Sequence, residues 1–250
     1  MISKLAFIGK NVKLGKNVKI GSYSKIGSST IIGDNTIIQE YVHISPGTKI
    51  GKNNNIYSNC VIGSKNKVNH SSIKIGNDNI IKEYVSIEPG DLMSSTIINH
   101  KCFIMQHSFL SKSCQMGNNI LIGINSYISS GVIVENNTVI GNKCTIKEYC
   151  RIGNDSFLQD SSTVYQDNLP FTVLVNNKTQ FLIINYFKFI LYRINTVERK
   201  DIKNMYKIFF YLHLKLSAYI AYNVKKFCNY TNILKTVACF ISKTKKGIIK

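Results

Sequence analysis

Five histidines and seven cysteines supply the side chains that could act as acids, bases or metal ligands, and neither set forms a paired ligand motif. His107 lies three residues after Ile104, and His70 lies in a stretch rich in lysine and asparagine. An imidazole near neutral pH suits general acid–base catalysis. Which of these side chains meet depends on the elements that carry them.

A six-residue repeat of aliphatic residues extends over most of the chain. Each repeat is commonly followed by Gly and then by Asn, Asp, Lys or Ser. A period of six is neither that of a helix nor that of a half-buried strand, and it is typical of parallel β-helices. The aliphatic positions are Ile8, Leu14, Ile20, Ile26, Ile32, Ile38, Ile44, Ile50, Ile56, Ile62, Val68, Ile75, Ile81, Ile87, Ile98, Ile104, Leu110, Met116, Ile122, Ile128, Val134, Ile140, Ile146, Ile152, Leu158 and Val164.

Three such hexads form one triangular coil of about eighteen residues, with the aliphatic side chains stacked inside. The polar residues near the glycines suit corners with positive φ, which Asn and Asp tolerate better than most residues. We therefore predict a mainly β fold, a parallel β-helix over residues 1–175. The predicted positive-φ corners include Asn11, Asn17, Asn35, Asn53, Asp78, Asn119 and Asp155.

Five cysteines each lie four residues after an aliphatic position of the repeat: Cys60, Cys102, Cys114, Cys144 and Cys150. This spacing favours small buried residues over a redox or metal role. The N-terminus shows no apolar segment of signal-peptide length. The sequence therefore predicts a cytoplasmic protein.

Two interruptions break the repeat, over residues 64–74 and 88–97, and both are predicted to project as loops. They are interpreted either as surface decoration or as a wall of a substrate cleft between coils or subunits. The first contains Lys65, Lys67 and His70, and the second reads EPGDLMSSTI.

Residues 176–250 are predicted to form a basic C-terminal helical domain. This segment has fifteen Lys and Arg against Glu198 and Asp201, so it supplies +13 of the net charge of +19. Neither of its apolar runs is clean enough for a membrane span, and no nucleic-acid-binding motif is present. The charge fits an acidic carrier protein, a nucleotide diphosphate or peripheral contact with an anionic membrane. Lysine accumulation from biased coding is the alternative.

The whole chain resembles the UDP-N-acetylglucosamine O-acyltransferases of lipid A synthesis. The resembling segments are ISKLAFI, IGKNNNIYSNCVIG, IGNDNIIKEYVSIEPG, CQMGNN, VYQDNLPFTVL, NMYKIFF and the final FISKTKKGIIK. The resemblance implies a left-handed parallel β-helix with a C-terminal helical domain, assembled as a homotrimer. It also implies transfer of a hydroxyacyl group from acyl carrier protein, or from a CoA thioester, to a nucleotide sugar. The phosphopantetheine thioester is then a co-substrate, and neither a metal nor a resident cofactor is needed.

The same resemblance assigns candidate site residues. The family's catalytic histidine falls on Lys112, its oxyanion glycine on Ser130, and two further histidines fall on Gly131 and Lys147. Ser130 and Gly131 are thus the candidate oxyanion donors. The candidate substrate-binding residues from the resemblance are Lys147, Asn185, which is retained from the family, and Arg193, which remains from its basic pair. His70, in the first interruption of the repeat, is a further candidate substrate-binding residue.

Two side chains are candidates to replace the missing imidazole. Lys112 holds the position itself, but a lysine acts as a base only when desolvation or a like charge, here Lys147, depresses its pKa. His107 is the nearest imidazole in the sequence, with an ordinary polar corner residue as the alternative interpretation. An amine acceptor lowers the demand for a base, because a neutral amine is already nucleophilic. N-acyl transfer and a catalytically silent binding or scaffold protein are therefore the alternative functions.

Overall fold

The computed structural model describes residues 1–63, 73–91, 94–175, 182–184 and 232–248. In these ranges the chain forms short strands joined by tight corners, followed by one C-terminal helix, α1 (Asn232–Ser242). The strands are β1 (Phe7–Ile8), β2 (Lys13–Leu14), β3 (Lys19–Ile20), β4 (Lys25–Ile26), β5 (Ile31–Ile32), β6 (Ile37–Ile38), β7 (His43–Ile44), β8 (Lys49–Ile50), β9 (Asn55–Ile56), β10 (Val61–Ile62), β11 (Ile73–Ile75), β12 (Ile80–Ile81), β13 (Ser86–Ile87), β14 (Thr96–Ile98), β15 (Phe103–Ile104), β16 (Phe109–Leu110), β17 (Gln115–Met116), β18 (Leu121–Ile122), β19 (Tyr127–Ile128), β20 (Ile133–Val134), β21 (Val139–Ile140), β22 (Thr145–Ile146), β23 (Arg151–Ile152), β24 (Phe157–Leu158), β25 (Thr163–Val164), β26 (Thr172–Leu174) and β27 (Leu182–Ile184).

From β1 to β25 every third strand pairs in parallel, which gives a solenoid with three flat faces. Face 1 runs from β1 through β4 to β25, face 2 from β2 through β5 to β23, and face 3 from β3 through β6 to β26. Leu110 pairs with Ile128, and Ile128 pairs with Ile146, so the register repeats every three hexads. The predicted parallel β-helix is confirmed.

The aliphatic ladder forms the core. From Ile20 to Val164 the described ladder residues are buried, whereas Ile8 and Leu14 in the first coil are only partly covered. All seven corner residues predicted to have positive φ have it, with values between 56° and 59°. The repeat therefore predicts both the buried side of each strand and the conformation of each corner.

The five repeat cysteines are buried, as the spacing predicted, while Cys239 on α1 is exposed. Burial raises the pKa of the Cys60 and Cys114 thiols to about 12. It raises the pKa of Cys102 and Cys150 to about 11. These thiols act as small core residues of the ladder.

The first testable prediction concerns these thiols. Because the thiolate is the reactive form, we expect iodoacetamide at pH 8 to label Cys239 and to leave the ladder cysteines unlabelled in the native protein. Labelling of the ladder thiols rises only as the pH approaches their raised pKa or when the protein unfolds. Peptide mass spectrometry after timed alkylation measures both rates. Equal labelling of Cys114 and Cys239 at pH 8 would contradict the buried ladder.

The two predicted interruptions are shorter than expected at their C-terminal ends. Strand β11 begins at Ile73 and β14 begins at Thr96, so the predicted bounds of 74 and 97 are wrong. Ile73 and Thr96 are buried and add one inward-facing residue before each ladder position. A strict hexad count cannot show that extension.

The C-terminal segment also departs from the sequence prediction. Residues 182–184, predicted to begin a helical region, instead form strand β27, which pairs antiparallel with β26 and extends face 3. Helix α1 confirms helical structure further along. The remaining residues of the predicted domain lie mainly outside the described ranges. Among the described residues no helix is both long and apolar enough to cross a membrane.

Helix α1 lies beside face 2, where its buried Phe240 lines a cleft with residues of β14, β17, β20 and β23. The Arg151 guanidinium stacks over the Phe240 ring at 4.4 Å and donates a hydrogen bond to the Phe240 carbonyl. Arg151 also forms an ion pair with Glu135. A cleft of about 610 Å³ remains between α1 and face 2.

Candidate active site

The corner that joins face 1 to face 2, called here the 1–2 corner, carries four of the predicted site residues. Lys112 follows β16, Ser130 and Gly131 follow β19, and Lys147 follows β22. These strands occupy successive coils of face 1. The structure therefore brings the four residues into one column along the solenoid.

A chain of hydrogen bonds runs along this column. The Ser111 hydroxyl donates to Oε2 of Glu88 at 2.9 Å. The Ser111 and Ser130 hydroxyl oxygens are also 2.9 Å apart. Ser111 is only 7% exposed, so the hydroxyl between the other two groups is shielded from water. The sequence prediction missed Glu88 and Ser111, which lie in different coils.

The second interruption packs directly against the Lys112 corner. The Asp91 amide donates to the Ser113 hydroxyl at 3.2 Å, and the Ser113 amide donates to the Thr96 hydroxyl at 2.9 Å. Ser113 also contacts the Ser94 carbonyl oxygen through its hydroxyl. This arrangement supports the interpretation of the second interruption as a wall of the site.

The two candidate oxyanion donors differ. The Gly131 amide donates to the Lys112 carbonyl at 2.8 Å and is therefore already engaged. The Ser130 amide has no acceptor among the described residues. Some equivalent amides at the other corners are capped: Asn118 donates to Asn136 and Asn142 to Asp160, at 2.7 and 2.9 Å. Ser130 N–H is therefore available to a ligand, as are the equivalent amides of Lys112 and Glu148 in the neighbouring coils of this column.

Lys112 is exposed in the single chain. The desolvation that a lysine base requires is therefore not supplied by the described residues around it. Lys147 is also exposed, and its ammonium lies 5.8 Å from the centre of the Tyr165 ring. Lys147 lies two coils beyond Lys112. At the usual spacing between paired strands, the two residues are about 10 Å apart along the solenoid. Their coupling across a subunit boundary stays a prediction.

His107 lies at a different corner, between β15 on face 3 and β16 on face 1. It has a positive φ of 57°, and its ring stacks on Tyr84 with centroids 4.8 Å apart. Tyr23 and Tyr41 stack in the same way at the same corner in earlier coils. His107 and Lys112 thus flank opposite ends of β16, and this geometry favours the ordinary corner interpretation of His107.

Tyr149, which the sequence prediction did not single out, packs against a candidate site residue. A Cβ atom on Gly131 would lie 2.4 Å from Cδ1 of Tyr149, so the ring covers this glycine. Lys246, near the C-terminus, places its ammonium 5.9 Å from the Tyr149 ring centre. The Asp167 amide donates to the Gly247 carbonyl at 2.9 Å and ties this segment to the column. Tyr149 follows Gly131 by three hexads, so the repeat already contained this signal.

Three further predicted residues, His70, Asn185 and Arg193, lie outside the described residues. Within the described ranges no group of three His, Cys, Asp or Glu is arranged to hold a metal ion.

The chain matches known sequences over part of its length. A family of bacterial transferase hexapeptide repeats (six repeats) matches residues 29–64. An acyl-[acyl-carrier-protein]–UDP-N-acetylglucosamine O-acyltransferase of Paraburkholderia phymatum is 34% identical over 85 residues, 34% of this chain and 32% of the relative. The same-named protein of Alkalilimnicola ehrlichii is 25% identical over 155 residues, covering 62% of this chain and 60% of the relative. The matches therefore span about a third to three fifths of these relatives.

Solved structures match over the full chain. A UDP-N-acetylglucosamine acyltransferase from Bacteroides fragilis aligns with a TM-score of 0.89 and 25% identity, covering 100% of both chains. That of Francisella novicida aligns with a TM-score of 0.91 and 24% identity, covering 100% of this chain and 94% of the other. These comparisons confirm the resemblance inferred from the sequence and the shared fold.

Proposed function

We propose that the protein transfers a hydroxyacyl group from acyl carrier protein, or from a CoA thioester, to a nucleotide sugar such as UDP-N-acetylglucosamine. The product is a precursor of lipid A or a related surface glycolipid. The observation that carries the proposal is the Ser130 amide, unpaired among the described residues, at the position where the resemblance places an oxyanion donor. Similarity to relatives named for this reaction supports it.

The reaction uses this amide directly. The 3-hydroxyl or 3-amino group of the sugar attacks the thioester carbonyl carbon, and the carbonyl oxygen becomes negatively charged. Ser130 N–H donates to that oxygen, the C–S bond then breaks, and the carrier thiolate leaves and takes up the proton that the attacking group loses. One preorganised donor of this kind contributes about 10²–10³ in rate.

The charges around the 1–2 corner favour anionic substrates. Lys112, Lys147 and Lys246 lie on or beside the column. A nucleotide diphosphate and the acidic face of a carrier protein are both attracted to such a surface. We assign Lys112 and Lys147 to substrate binding at this corner, and we place the reaction in the cytoplasm without a resident cofactor.

We further propose a homotrimer, with the site completed by a neighbouring subunit. A row of apolar side chains points outwards along face 3 and is partly exposed in the single chain. Such contiguous apolar surface marks an interface between proteins. The row consists of Ile80, Phe103, Leu121, Val139, Phe157 and Val173.

This interface gives the second testable prediction. Leu121→Glu places a charge between Phe103 and Val139, and desolvating it on assembly costs several kcal/mol. We expect the apparent mass from light scattering to fall to that of one chain. The control is Ile31→Glu, because Ile31 is 40% exposed and points outwards from face 2. A Leu121→Glu protein with the mass of the wild-type assembly would exclude face 3 as the interface.

The proposed reaction is tested by release of carrier thiol under multiple turnover. Purified protein, hydroxyacyl carrier protein and UDP-N-acetylglucosamine or its 3-amino analogue are mixed, and free thiol is titrated over time. We expect sugar-dependent release. Binding of carrier protein without any turnover would favour the catalytically silent alternative and overturn the acyltransferase proposal.

A further inference from the structure

We propose that Glu88, through the hydroxyls of Ser111 and Ser130, receives the proton lost by the sugar acceptor, and that this relay suits an amine acceptor. The proposal rests on the acyltransferase function argued above. The resemblance predicts a histidine that accepts this proton, and this corner has none. The Glu88 carboxylate, two coils before Ser130, would accept the proton instead.

The direction of the relay follows from its hydrogen bonds. An ionised carboxylate only accepts hydrogen bonds, so Ser111 must donate its single hydroxyl proton to Glu88. Ser111 therefore accepts from Ser130 across the 2.9 Å contact between their oxygens. Ser130 keeps a free lone pair, through which it can accept a proton from a bound acceptor.

Ser130 then serves both partners in the reaction. Its amide is available for the developing oxyanion, and its hydroxyl is available for the attacking group. In the tetrahedral intermediate the oxyanion and the attacking atom are bonded to the same carbon. One residue at a corner can thus serve both atoms, while the buried Ser111 and the partly buried Glu88 lie behind it.

Each proton in the relay has a donor and a destination. The acceptor nitrogen forms a bond to the thioester carbon and becomes positively charged. Its proton passes to Ser130 Oγ, the Ser130 proton passes to Ser111 Oγ, and the Ser111 proton passes to Glu88 Oε2. When the C–S bond breaks, the reverse transfers return one proton to the leaving thiolate and restore the carboxylate.

The chemistry of the terminal group favours an amine over a hydroxyl. A carboxylate is a weaker base than an imidazole. A hydroxyl must lose its proton as it attacks, whereas an amine attacks first and loses a proton from a cationic nitrogen, which is much more acidic. A carboxylate accepts a proton from a cationic nitrogen more readily than from a neutral hydroxyl, so the relay suits an amine acceptor.

The experiment compares Glu88→Gln, Ser111→Ala and the double variant with the wild type, using the 3-amino and 3-hydroxy nucleotide sugars. We expect each single variant to lower kcat for the amine about 10²-fold, with KM nearly unchanged. The double variant should lose no more than either single variant, because the residues act as one unit. The wild type should prefer the amine at least tenfold.

Ser129→Ala is the matched control, since Ser129 is an adjacent buried serine whose hydroxyl is outside the relay. The solvent deuterium isotope effect on kcat supplies a readout that a purely structural role would leave in place. The isotope effect of the coordinated proton transfers should shrink in Glu88→Gln and remain in Ser129→Ala.

The outcomes separate the two proposals. A wild type that turns over neither sugar overturns the proposed function and the relay with it. Wild-type turnover that is unchanged in Glu88→Gln, or losses that multiply in the double variant, overturns the relay alone. Preference for the hydroxyl acceptor overturns the assignment of an amine.

Discussion

Replacing Ile128 with aspartate is expected to abolish the cooperative unfolding transition of the solenoid. Ile128 is fully buried and stacks between Leu110 and Ile146 inside face 1. A buried carboxylate without a partner costs several kcal/mol, and it adds to the loss of the isoleucine packing. The total is comparable with the stability of a whole domain, about 5–15 kcal/mol.

Urea denaturation followed by circular dichroism measures this effect. The control is Tyr127→Asp on the same strand, where the side chain is 44% exposed and stacks on Phe109. We expect the free energy of unfolding of that variant to fall by only about 1 kcal/mol. If the free energy of unfolding of Ile128→Asp lay within about 1 kcal/mol of that of the control, the ladder would not be the core.

Replacing Gly131 with asparagine is expected to lower acyl transfer about 10²-fold while the protein stays folded. Asparagine tolerates the φ of 68° at this corner, so backbone strain is small. The new Cβ atom would meet the Tyr149 ring at 2.4 Å, and the ring or the corner must move. A displacement of about 1 Å at a reacting group is enough for a loss of this size.

Gly47→Asn provides a closely matched control. Gly47 lies at the same 1–2 corner with a φ of 73°, and a Cβ atom added to it would have no other atom within 4 Å. We expect this variant to keep wild-type turnover and wild-type melting temperature. If both variants lose activity equally, the effect belongs to the corner backbone, and the Tyr149 contact is irrelevant.

The hexad repeat predicted the core and the corners because both depend on residues within one coil. An aliphatic residue every sixth position fixes which side faces inwards, as Leu110 and Ile128 show. Asn119 and Asp155 have the positive φ expected of them. The buried ladder cysteines followed from the same count.

The relay could not be predicted in the same way. Glu88 and Ser111 are separated by an interruption that breaks the count of hexads, so their alignment depends on how that loop folds back. Thr96, where β14 begins, is buried. Strand β27 was missed because a short apolar run alone does not separate helix from strand.

The most direct test of the acyltransferase proposal is a single-turnover reaction. Protein in excess is mixed with hydroxyacyl carrier protein and the 3-amino or 3-hydroxy nucleotide sugar, and the acylated sugar is quantified by mass spectrometry. We predict one acylated sugar for each carrier thiol released, formed faster with the amine. A carrier that stays acylated with both sugars, or thiol release without acylated sugar, would contradict the proposal.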